Sequence, residues 1–252
     1  MSKAILKVIR SKERGHAYHG WLDSYHTFSF ANYHNPQMMG FGSLRVINED
    51  RVTPKEGFGT HPHQEYEIYS YIVSGELEHR DSMNNVETLK RGDIQFTSAG
   101  TGISHSEYNR HSSKTVHFLQ IWVKPSVSRL KPSYSTKHFS DEMKLNQLRP
   151  LVSPLGEAAG CIKINQDVHT SASILEKDKK VEFDVRENRK ALLQVITTAP
   201  DVKLKVNSLG EEHVLSGGDV LLVTGTTFSD TKLEITGGSE TNTEFLLFDI
   251  GK

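Results

Sequence analysis

The sequence is poor in cysteine and in long apolar runs, and both absences narrow the possibilities. Cys161 is the single cysteine among 252 residues, which excludes an internal disulfide and fits a reducing compartment. The opening stretch MSKAILKVIRSKERG has no apolar segment long enough for a signal peptide or a membrane helix. We therefore expect a cytoplasmic protein that does not act at a membrane.

A large net charge of either sign is also missing. Thirty lysines and arginines stand against 31 aspartates and glutamates, which gives a net charge of -1. This balance lacks the basic surface that direct nucleic-acid binding requires. The length is sufficient for one large domain or two ordinary ones.

Long stretches with the 3.6-residue period of a helix are scarce, and short β-rich runs recur between turn residues instead. YEIYSYIVSG, DIQFTSAG, TVHFLQIWV and EFLLFDIG are examples. Regularly spaced short strands separated by Gly, Asn and Asp indicate a β-sandwich or barrel. The stretch FSDEMKLNQLRPL (139–151) is compatible with one short connecting helix.

A weak internal repeat divides the chain into halves. VETLKRGDIQFTSAG (86–100) and EEHVLSGGDVLLVTG (211–225) share a Gly-Asp followed by a strand, and Gly92 and Gly218 lie 126 residues apart. Such Gly-Asp turns are common by themselves, but the half-length spacing and the similar flanks favour a duplication. We predict two tandem β-barrel domains separated by RPLVSPLGEAAG (149–160).

Two pairs of metal-ligating side chains share one spacing. FGTHPHQEYE contains His61 and His63, but one such H-x-H is expected by chance about 0.7 times in this chain, so alone it is compatible with a surface loop. GTGISHSEYN adds His105 and Glu107 at the same i, i+2 spacing, which on a strand places both side chains on one face. Two such strands facing each other across a small barrel would bring three imidazoles and a carboxylate together. Pro62 gives up a ladder hydrogen bond, which predicts an edge strand or an irregular point.

Three long motifs carry a resemblance to a known family. ERGHAYHGWLDSYHTFSFANYHNP (13–36), GFGTHPHQEYEIYSYIVSGELEHRDS (57–82) and SAGTGISHSEYN (98–109) resemble the pirin family, in particular its bacterial members. The resemblance implies an all-β bicupin, with two tandem cupin (double-stranded β-helix or jelly-roll) barrels. Residues 1–135 would form the metal-binding domain, and residues 136–252 a degenerate cupin domain without metal.

The resemblance also implies a ligand set, which consists of His61, His63, His105 and Glu107. Glu67 occupies the position of a glutamate that many other cupins use as a ligand, and we expect it outside this set, as a hydrogen-bonding or solvent-facing strand residue. Glu65 is expected to be an exposed loop residue.

The second copy tests the number of metal sites. Positions 126 residues beyond the four ligands fall near Glu187, Arg189, Thr231 and Leu233, where neither an H-x-H nor an H-x-E occurs. The remaining histidines of this half, His169 and His213, are expected to be ordinary polar residues. We therefore expect one metal ion per chain.

Ligand chemistry leaves the metal open and narrows the type of site. Three imidazoles and a carboxylate suit Fe(II), Mn, Co, Ni or Zn, and four protein ligands leave two positions of an octahedron open. A structural zinc site is more often cysteine-rich and closed. The pirin resemblance favours Fe(II).

The resemblance further implies quercetin 2,3-dioxygenase activity, in which O₂ opens the heterocyclic ring of a flavonol and carbon monoxide is released. The metal would bind the 3-hydroxyl as its oxyanion, and Glu107 would accept the proton. One alternative is a regulatory protein that binds a protein partner and uses the metal as a redox switch, as eukaryotic pirins are associated with transcriptional co-regulation. Another is an O₂-using or metal-assisted reaction on a different small phenol.

Further histidines and aromatic residues remain. His16, His19 and His26 form a weak metal signal, and we expect their segment to wrap a barrel and pack through its aromatics. His117 alternates with Leu119 and Ile121, which predicts a buried and hydrogen-bonded side chain. The aromatic residues that would suit either an apolar pocket wall or a core are Phe28, Phe30, Phe41, Phe58 and Trp122.

Overall fold

The computed structural model describes residues 4–157, 159–225 and 229–251. Within these residues the chain forms 22 β-strands and one 3-10 helix, Ser11–Glu13. The strands are β1 (Ile5–Ile9), β2 (Gly15–Tyr18), β3 (Leu22–His26), β4 (Leu44–Val52), β5 (Gly57–His63), β6 (Glu67–Ser74), β7 (Glu76–Asp81), β8 (Val86–Lys90), β9 (Asp93–Ser98), β10 (Ile103–Tyr108), β11 (Val116–Val123), β12 (Ser133–His138), β13 (Arg149–Pro154), β14 (Ile162–Ile164), β15 (Val168–Leu175), β16 (Lys180–Val185), β17 (Lys190–Val195), β18 (Lys203–Ser208), β19 (Glu211–Ser216), β20 (Val220–Thr224), β21 (Thr231–Gly237) and β22 (Thr243–Ile250). The prediction of an all-β chain is confirmed, and no helix among the described residues is long and apolar enough to cross a membrane.

The chain divides into two compact units. The amino-terminal unit comprises Arg14–Ser140 and Ile162–Gln166, and the carboxy-terminal unit comprises Met1–Glu13, Asp141–Cys161 and Asp167–Lys252. A single boundary after residue 135 does not describe this division, because strand β1 pairs with β20 and so joins the carboxy-terminal unit.

The two units repeat one topology. The larger sheet of the amino-terminal unit has the strand order β12-β9-β6-β11-β4-β3-β2, and the larger sheet of the carboxy-terminal unit runs β1-β20-β17-β22-β15-β13. The small sheets have the orders β5-β10-β7-β8 and β16-β21-β18-β19. Strand β16 is therefore the counterpart of β5, and β21 is the counterpart of β10.

The Gly-Asp repeat forms the same turn in both units. Gly92 and Gly218 adopt φ values of 85° and 83°, which favour glycine. Asp93 accepts a hydrogen bond from the Lys90 amide at 2.7 Å, and Asp219 accepts one from the Ser216 amide at 3.0 Å. This shared turn supports the predicted duplication.

Each unit buries an apolar core between its two sheets. In the amino-terminal unit, Ile72 and Phe118 of the larger sheet pack with Leu77 and Leu89 of the small sheet. The carboxy-terminal core contains strand residues of both its sheets, among them Val206, Leu233 and Phe245. Alternating side chains supply these cores because successive residues of a strand point to opposite faces.

Two local predictions for the central segment are wrong. Residues 139–151 form turns and the start of β13 in place of a helix, because Leu145 makes a parallel bridge with Ile174 and the fully buried Lys144 pairs with Glu244 at 3.4 Å. These tertiary contacts outweigh the local preference. The predicted linker 149–160 begins with strand β13, and its position 158 lies outside the described residues.

Candidate metal centre

The two histidine-bearing strands are neighbours in one sheet. Strand β10 pairs antiparallel with β5, and His105 lies directly opposite His61. The expectation that these strands face each other across a barrel is wrong, although side chains on one face of paired strands still converge. Strand β5 is the edge strand of its sheet, which confirms the placement predicted from Pro62.

The ladder between β5 and β10 contains one irregularity. His105 pairs with His61, whereas Glu107 pairs with Phe58, so β5 uses one residue more than β10 between these points. Such a bulge bends the strand that carries the extra residue, which is β5 here, whereas β10 keeps its regular alternation and so places His105 and Glu107 on one face. Both His105 and Glu107 are about 1% exposed.

Three imidazoles form a compact cluster. His61, His63 and His105 each offer a ligand atom, and these atoms lie within 4.8 Å of one another. The Nε2 atoms of His61 and His105 are 3.1 Å apart. His61 Nδ1 lies 2.7 Å from the Gly59 carbonyl oxygen, which can only accept, so Nδ1 donates and Nε2 keeps its lone pair.

Burial keeps two of these imidazoles neutral. Together with the charges of neighbouring histidines, it lowers the pKa of His63 to about 4 and that of His105 to about 3. The neutral imidazole is the form that binds metal ions. His63 Nε2 is buried and has no hydrogen-bond partner, as expected of an atom that serves as a ligand.

The Glu107 carboxylate is held from the opposite sheet. Ser70 Oγ donates to Oε1 at 3.2 Å, and Gln120 Nε2 donates to Oε2 at 2.8 Å. The Gln120 amide is oriented in turn by the indole N–H of Trp122, which donates to its Oε1 at 3.2 Å. The carboxylate oxygens keep lone pairs free, since each receives one of these donors. Imidazole nitrogens and a carboxylate oxygen are donors that fit a divalent transition metal ion.

A pocket of about 330 Å³ opens beside the cluster and is lined by His61, His63 and Glu107. Its aromatic wall is formed by Trp21, Phe30, Phe58 and Trp122. The Trp122 ring stands edge-on to His63, with ring centroids 4.8 Å apart, and Trp21 and Phe58 pack against the core of the unit. The sequence placed five aromatic residues either in a pocket wall or in a core. Three of them line the pocket: Phe30, Phe58 and Trp122. Phe28 is 1% exposed, and Phe41 is not among the lining residues.

A polar wall lies on strands β3 and β4. Ser24 Oγ donates to Asp50 Oδ1, and His26 Nδ1 lies 2.9 Å from Asn48 Oδ1. All four residues line the pocket. Burial raises the pKa of Asp50 to about 7, and the charges of Glu107 and Glu49 add to this effect. Asp50 therefore holds its proton into the neutral range.

The amino-terminal histidines lie on different sides of their hairpin. His26 and His19 line the pocket, whereas His16 is exposed, pairs with Asp23 at 2.7 Å and stacks on Tyr25. Burial lowers the pKa of His26. The segment thus supplies part of the pocket wall, whereas the sequence predicted packing for the segment and a pocket wall or core position for Phe28 and Phe30.

The remaining glutamates and histidines have separate roles. Glu67 is fully buried and accepts hydrogen bonds from the amide and side chain of Asn165, at 2.9 and 2.6 Å, as expected of a hydrogen-bonding strand residue. Glu65 is half-buried and accepts from the Arg129 amide, so the expectation of an exposed residue is wrong. His117 is buried and bonds Glu49 at 3.0 Å, which confirms that prediction.

The carboxy-terminal unit differs at the corresponding strands. Position 187 follows β16 instead of lying within it, because the offset between the units is not constant along the chain. Strands β16 (KVEFDV) and β21 (TKLEITG) contain no histidine or cysteine. Both clusters of metal-capable side chains found within residues 4–157, 159–225 and 229–251 belong to the amino-terminal unit.

Several pocket residues were not identified from the sequence. Asn48 and Asp50 were missed because a single strand with charged residues carries no ligand motif. Gln120 was missed because its partner, Glu107, is 13 residues away and on another sheet. His79 lies beside His105 and outside the pocket lining. It could have been found, since Leu77 and His79 alternate in ELEHRD and therefore share the inward face.

Gly57 is required where β5 passes β10. A Cβ at this position would lie 2.3 Å from the Glu107 carbonyl oxygen and 2.6 Å from Tyr108 Cα. Gly57→Ala should therefore displace β10, destabilise the protein by about 1–3 kcal/mol and weaken Ni²⁺ binding, as measured by thermal denaturation and calorimetric titration. Gly59→Ala is the matched control, because its Cβ would meet only Tyr108 Oη at 3.8 Å. Equal effects of the two substitutions would contradict this explanation.

Comparison with known proteins places this geometry in a family. The Pirin family matches residues 7–123, and the Quercetinase C-terminal cupin domain matches residues 151–250. The chain is 45% identical over 187 residues to a quercetin 2,3-dioxygenase of Escherichia coli (strain K12), which is 74% of this chain and 79% of that protein. It is 32% identical over 219 residues to a pirin-like protein of Caulobacter vibrioides, covering 87% of this chain and 93% of that protein.

The fold is similar to that of solved structures. The crystal structure of the bacterial pirin YhhW from Escherichia coli in complex with nickel(II) shares 36% sequence identity with this chain. The TM-score is 0.85, and the match covers 98% of this chain and 99% of that one.

Proposed function

The chain belongs to the pirin family, and on that premise we propose that it is a metal-dependent dioxygenase that opens the heterocyclic ring of flavonols with O₂ and releases carbon monoxide. The observation that carries this proposal is the position of the His/Glu cluster, which forms one end of a pocket with aromatic walls. A structural site would have no need of such a cavity.

We propose that His61, His63, His105 and Glu107 hold one divalent ion, with Fe(II) as the ion used in the cell. Bound there, the ion would supply Lewis acidity and redox chemistry with O₂. The nickel complex of the related YhhW supports a metal in this position without deciding which one. The carboxy-terminal unit is then a scaffold domain without a metal of its own.

The pocket walls suit a flat polyphenol. Trp122 and Phe30 stand at right angles, with ring centroids 5.6 Å apart, so one face of a planar ligand can lie along either ring. The lining is mainly apolar, with a few polar groups, as is common for small-molecule sites. These walls hold the substrate and exclude water from the cluster.

Two carboxyl groups face the ligand with different roles. Glu107 accepts the proton of the substrate hydroxyl, and Gln120 and Ser70 fix its carboxylate for that purpose. Asp50, whose pKa is raised to about 7 by burial, is protonated below that pH and can then donate a hydrogen bond to a substrate oxygen. The pocket thus pairs a proton acceptor with a proton donor.

Turnover of quercetin tests the proposal directly. Quercetin added anaerobically to the Fe(II)-loaded protein should shift the absorption band of the flavonol, and oxygen should then bleach it with release of carbon monoxide. A shift without bleaching would indicate a phenol-binding protein that regulates a partner instead. Absence of both the shift and carbon monoxide would reject flavonols as substrates.

A further inference from the structure

A second group of potential ligands lies behind the proposed centre. Strand β10 is paired with β5 on one side and with β7 on the other. His61 lies opposite His105 on the β5 side, and His79 lies opposite Glu107 on the β7 side. The middle strand therefore has imidazoles on both flanks.

The tautomer of His79 is set by Asp81. His79 Nε2 lies 3.2 Å from Asp81 Oδ2, and the carboxylate also accepts from the Met83 amide and from the backbone and side chain of Asn85. The N–H donors of Met83 and Asn85 leave the Asp81 oxygens in the role of acceptors. An ionised carboxylate only accepts, so Nε2 of His79 donates and Nδ1 keeps its lone pair.

That lone pair has no protein partner. His79 is fully buried, and its Nδ1 has no hydrogen-bond partner. Such a group is costly unless something binds it. His105 is in the same situation, because its Nε2 faces the Nε2 lone pair of His61 at 3.1 Å and its buried Nδ1 is also without a partner.

The side chains of His79 and His105 form a compact set with Glu107. One ligand atom each of His79, His105 and Glu107 lies within 4.8 Å of the others, and the rings of His79 and His105 are 5.2 Å apart. Asp81 holds His79 as carboxylates hold the metal-binding histidines of other proteins, through the nitrogen that does not bind the ion. Tyr134 stacks on the His79 ring at 4.9 Å and limits its rotation.

We propose that His79, His105 and Glu107 form an inner ligand set that binds a divalent transition-metal ion as an alternative to the outer position at His61 and His63. His105 and Glu107 belong to both sets, so a chain holds one ion in one of the two positions. Two imidazoles and a carboxylate suit Co²⁺, Ni²⁺, Zn²⁺ or Fe²⁺ better than Mg²⁺ or Ca²⁺.

The inner position would withdraw the ion from substrate. His61, His63 and Glu107 line the pocket, whereas His79 and His105 are not among its lining residues. An ion held by the inner set would therefore be stored out of reach of a ligand. This inference rests on the proposed centre for two shared ligands and does not depend on flavonol turnover.

Cobalt binding to variants that lack the outer ligands tests the proposal. His61→Ala/His63→Ala leaves the inner set complete, and we expect it to bind about one Co²⁺ per chain, measured by equilibrium dialysis and by the visible Co²⁺ absorption. Adding His79→Ala should weaken this binding at least tenfold. Adding His117→Ala is the matched control, because it removes another buried histidine that bonds Glu49 and should leave Co²⁺ binding unchanged.

Two results would overturn the inner set. One is loss of all Co²⁺ binding in a folded His61→Ala/His63→Ala variant, and the other is Co²⁺ binding that His79→Ala does not affect. Thermal denaturation reports whether each variant is folded. If the triple variant does not fold, His79→Gln replaces His79→Ala, since glutamine can still bond Asp81 but offers no imidazole nitrogen. The Co²⁺ experiment does not use quercetin turnover. The binding result therefore stays interpretable even if the protein does not turn over flavonols.

Discussion

Glu107→Gln should lower quercetin turnover by about 10²–10⁴-fold, which is the usual contribution of a general base. Glutamine has nearly the same shape as glutamate, so Ser70 can still bond its carbonyl oxygen and the fold should be retained. In the wild type the Gln120 amide donates to Glu107 Oε2 at 2.8 Å. In the variant this amide would face an NH₂ group or have to turn. The substituted amide neither accepts the substrate proton nor binds a cation as a carboxylate does. Turnover is measured by carbon monoxide release at saturating Fe(II), and metal content by elemental analysis.

Glu67→Gln provides the control. Glu67 is another buried glutamate of the same unit, and it occupies the place of a common cupin ligand. Its carboxylate accepts hydrogen bonds from Asn165, and it does not line the pocket. We expect this variant to lose some stability and to retain turnover within a few-fold of the wild type. If Glu67→Gln abolished turnover while Glu107→Gln preserved it, the ligand assignment would be inverted.

The β-rich repeat and the two i, i+2 pairs were readable in the sequence because they depend on local alternation. The placement of His61 and His63 on one face of their strand followed from this spacing alone. The pairing of β5 with β10 did not, since the side-chain period of two is equally compatible with neighbouring or facing strands. That distinction depends on register, which is fixed by contacts between distant segments.

The residues that support the site could not be identified from the sequence for the same reason. Gln120 orients Glu107 from the larger sheet, and Asp50 reaches the pocket from β4, so neither has a signature near the histidines. Residues 1–13 joined the carboxy-terminal unit through β1, where Ile9 pairs with Val220. No local pattern in ILKVI specifies a partner more than 200 residues away.

Asp50→Asn should change the pH dependence of stability in the metal-free protein. The pKa of Asp50 is raised from 3.8 to about 7, chiefly by burial and also by the negative charges of Glu107 and Glu49, against the opposing effects of the Ser24 hydroxyl and Arg51. The folded state thus binds the proton more tightly than the unfolded state. The stabilisation from this proton is complete below pH 3.8 and is lost as the pH rises to about 7.

Asparagine carries no charge at any pH, so the variant avoids this loss. The stability of Asp50→Asn relative to the wild type should therefore increase from pH 4 to pH 7 by about 4 kcal/mol and then level off. Urea denaturation at a series of pH values in the presence of a chelator measures the difference. The pKa of Glu49 is lowered to about 2 by His117 and Arg14 against the effect of burial. Glu49 therefore loses its stabilisation only as the pH falls below 4.5, at the acidic end of this window, and it does so in both proteins.

Asp184→Asn separates the effect of burial from that of the substitution itself. Asp184 is an exposed aspartate of β16, and its replacement should give a stability difference that varies little between pH 4 and pH 8. A flat difference for Asp50→Asn as well would show that Asp50 is ionised throughout this range. It would then be unable to donate a hydrogen bond to a substrate oxygen, and Glu107 would face a second negative charge in the pocket. A rising difference would instead identify Asp50 as the proton donor opposite Glu107, with substrate affinity expected to weaken above pH 7.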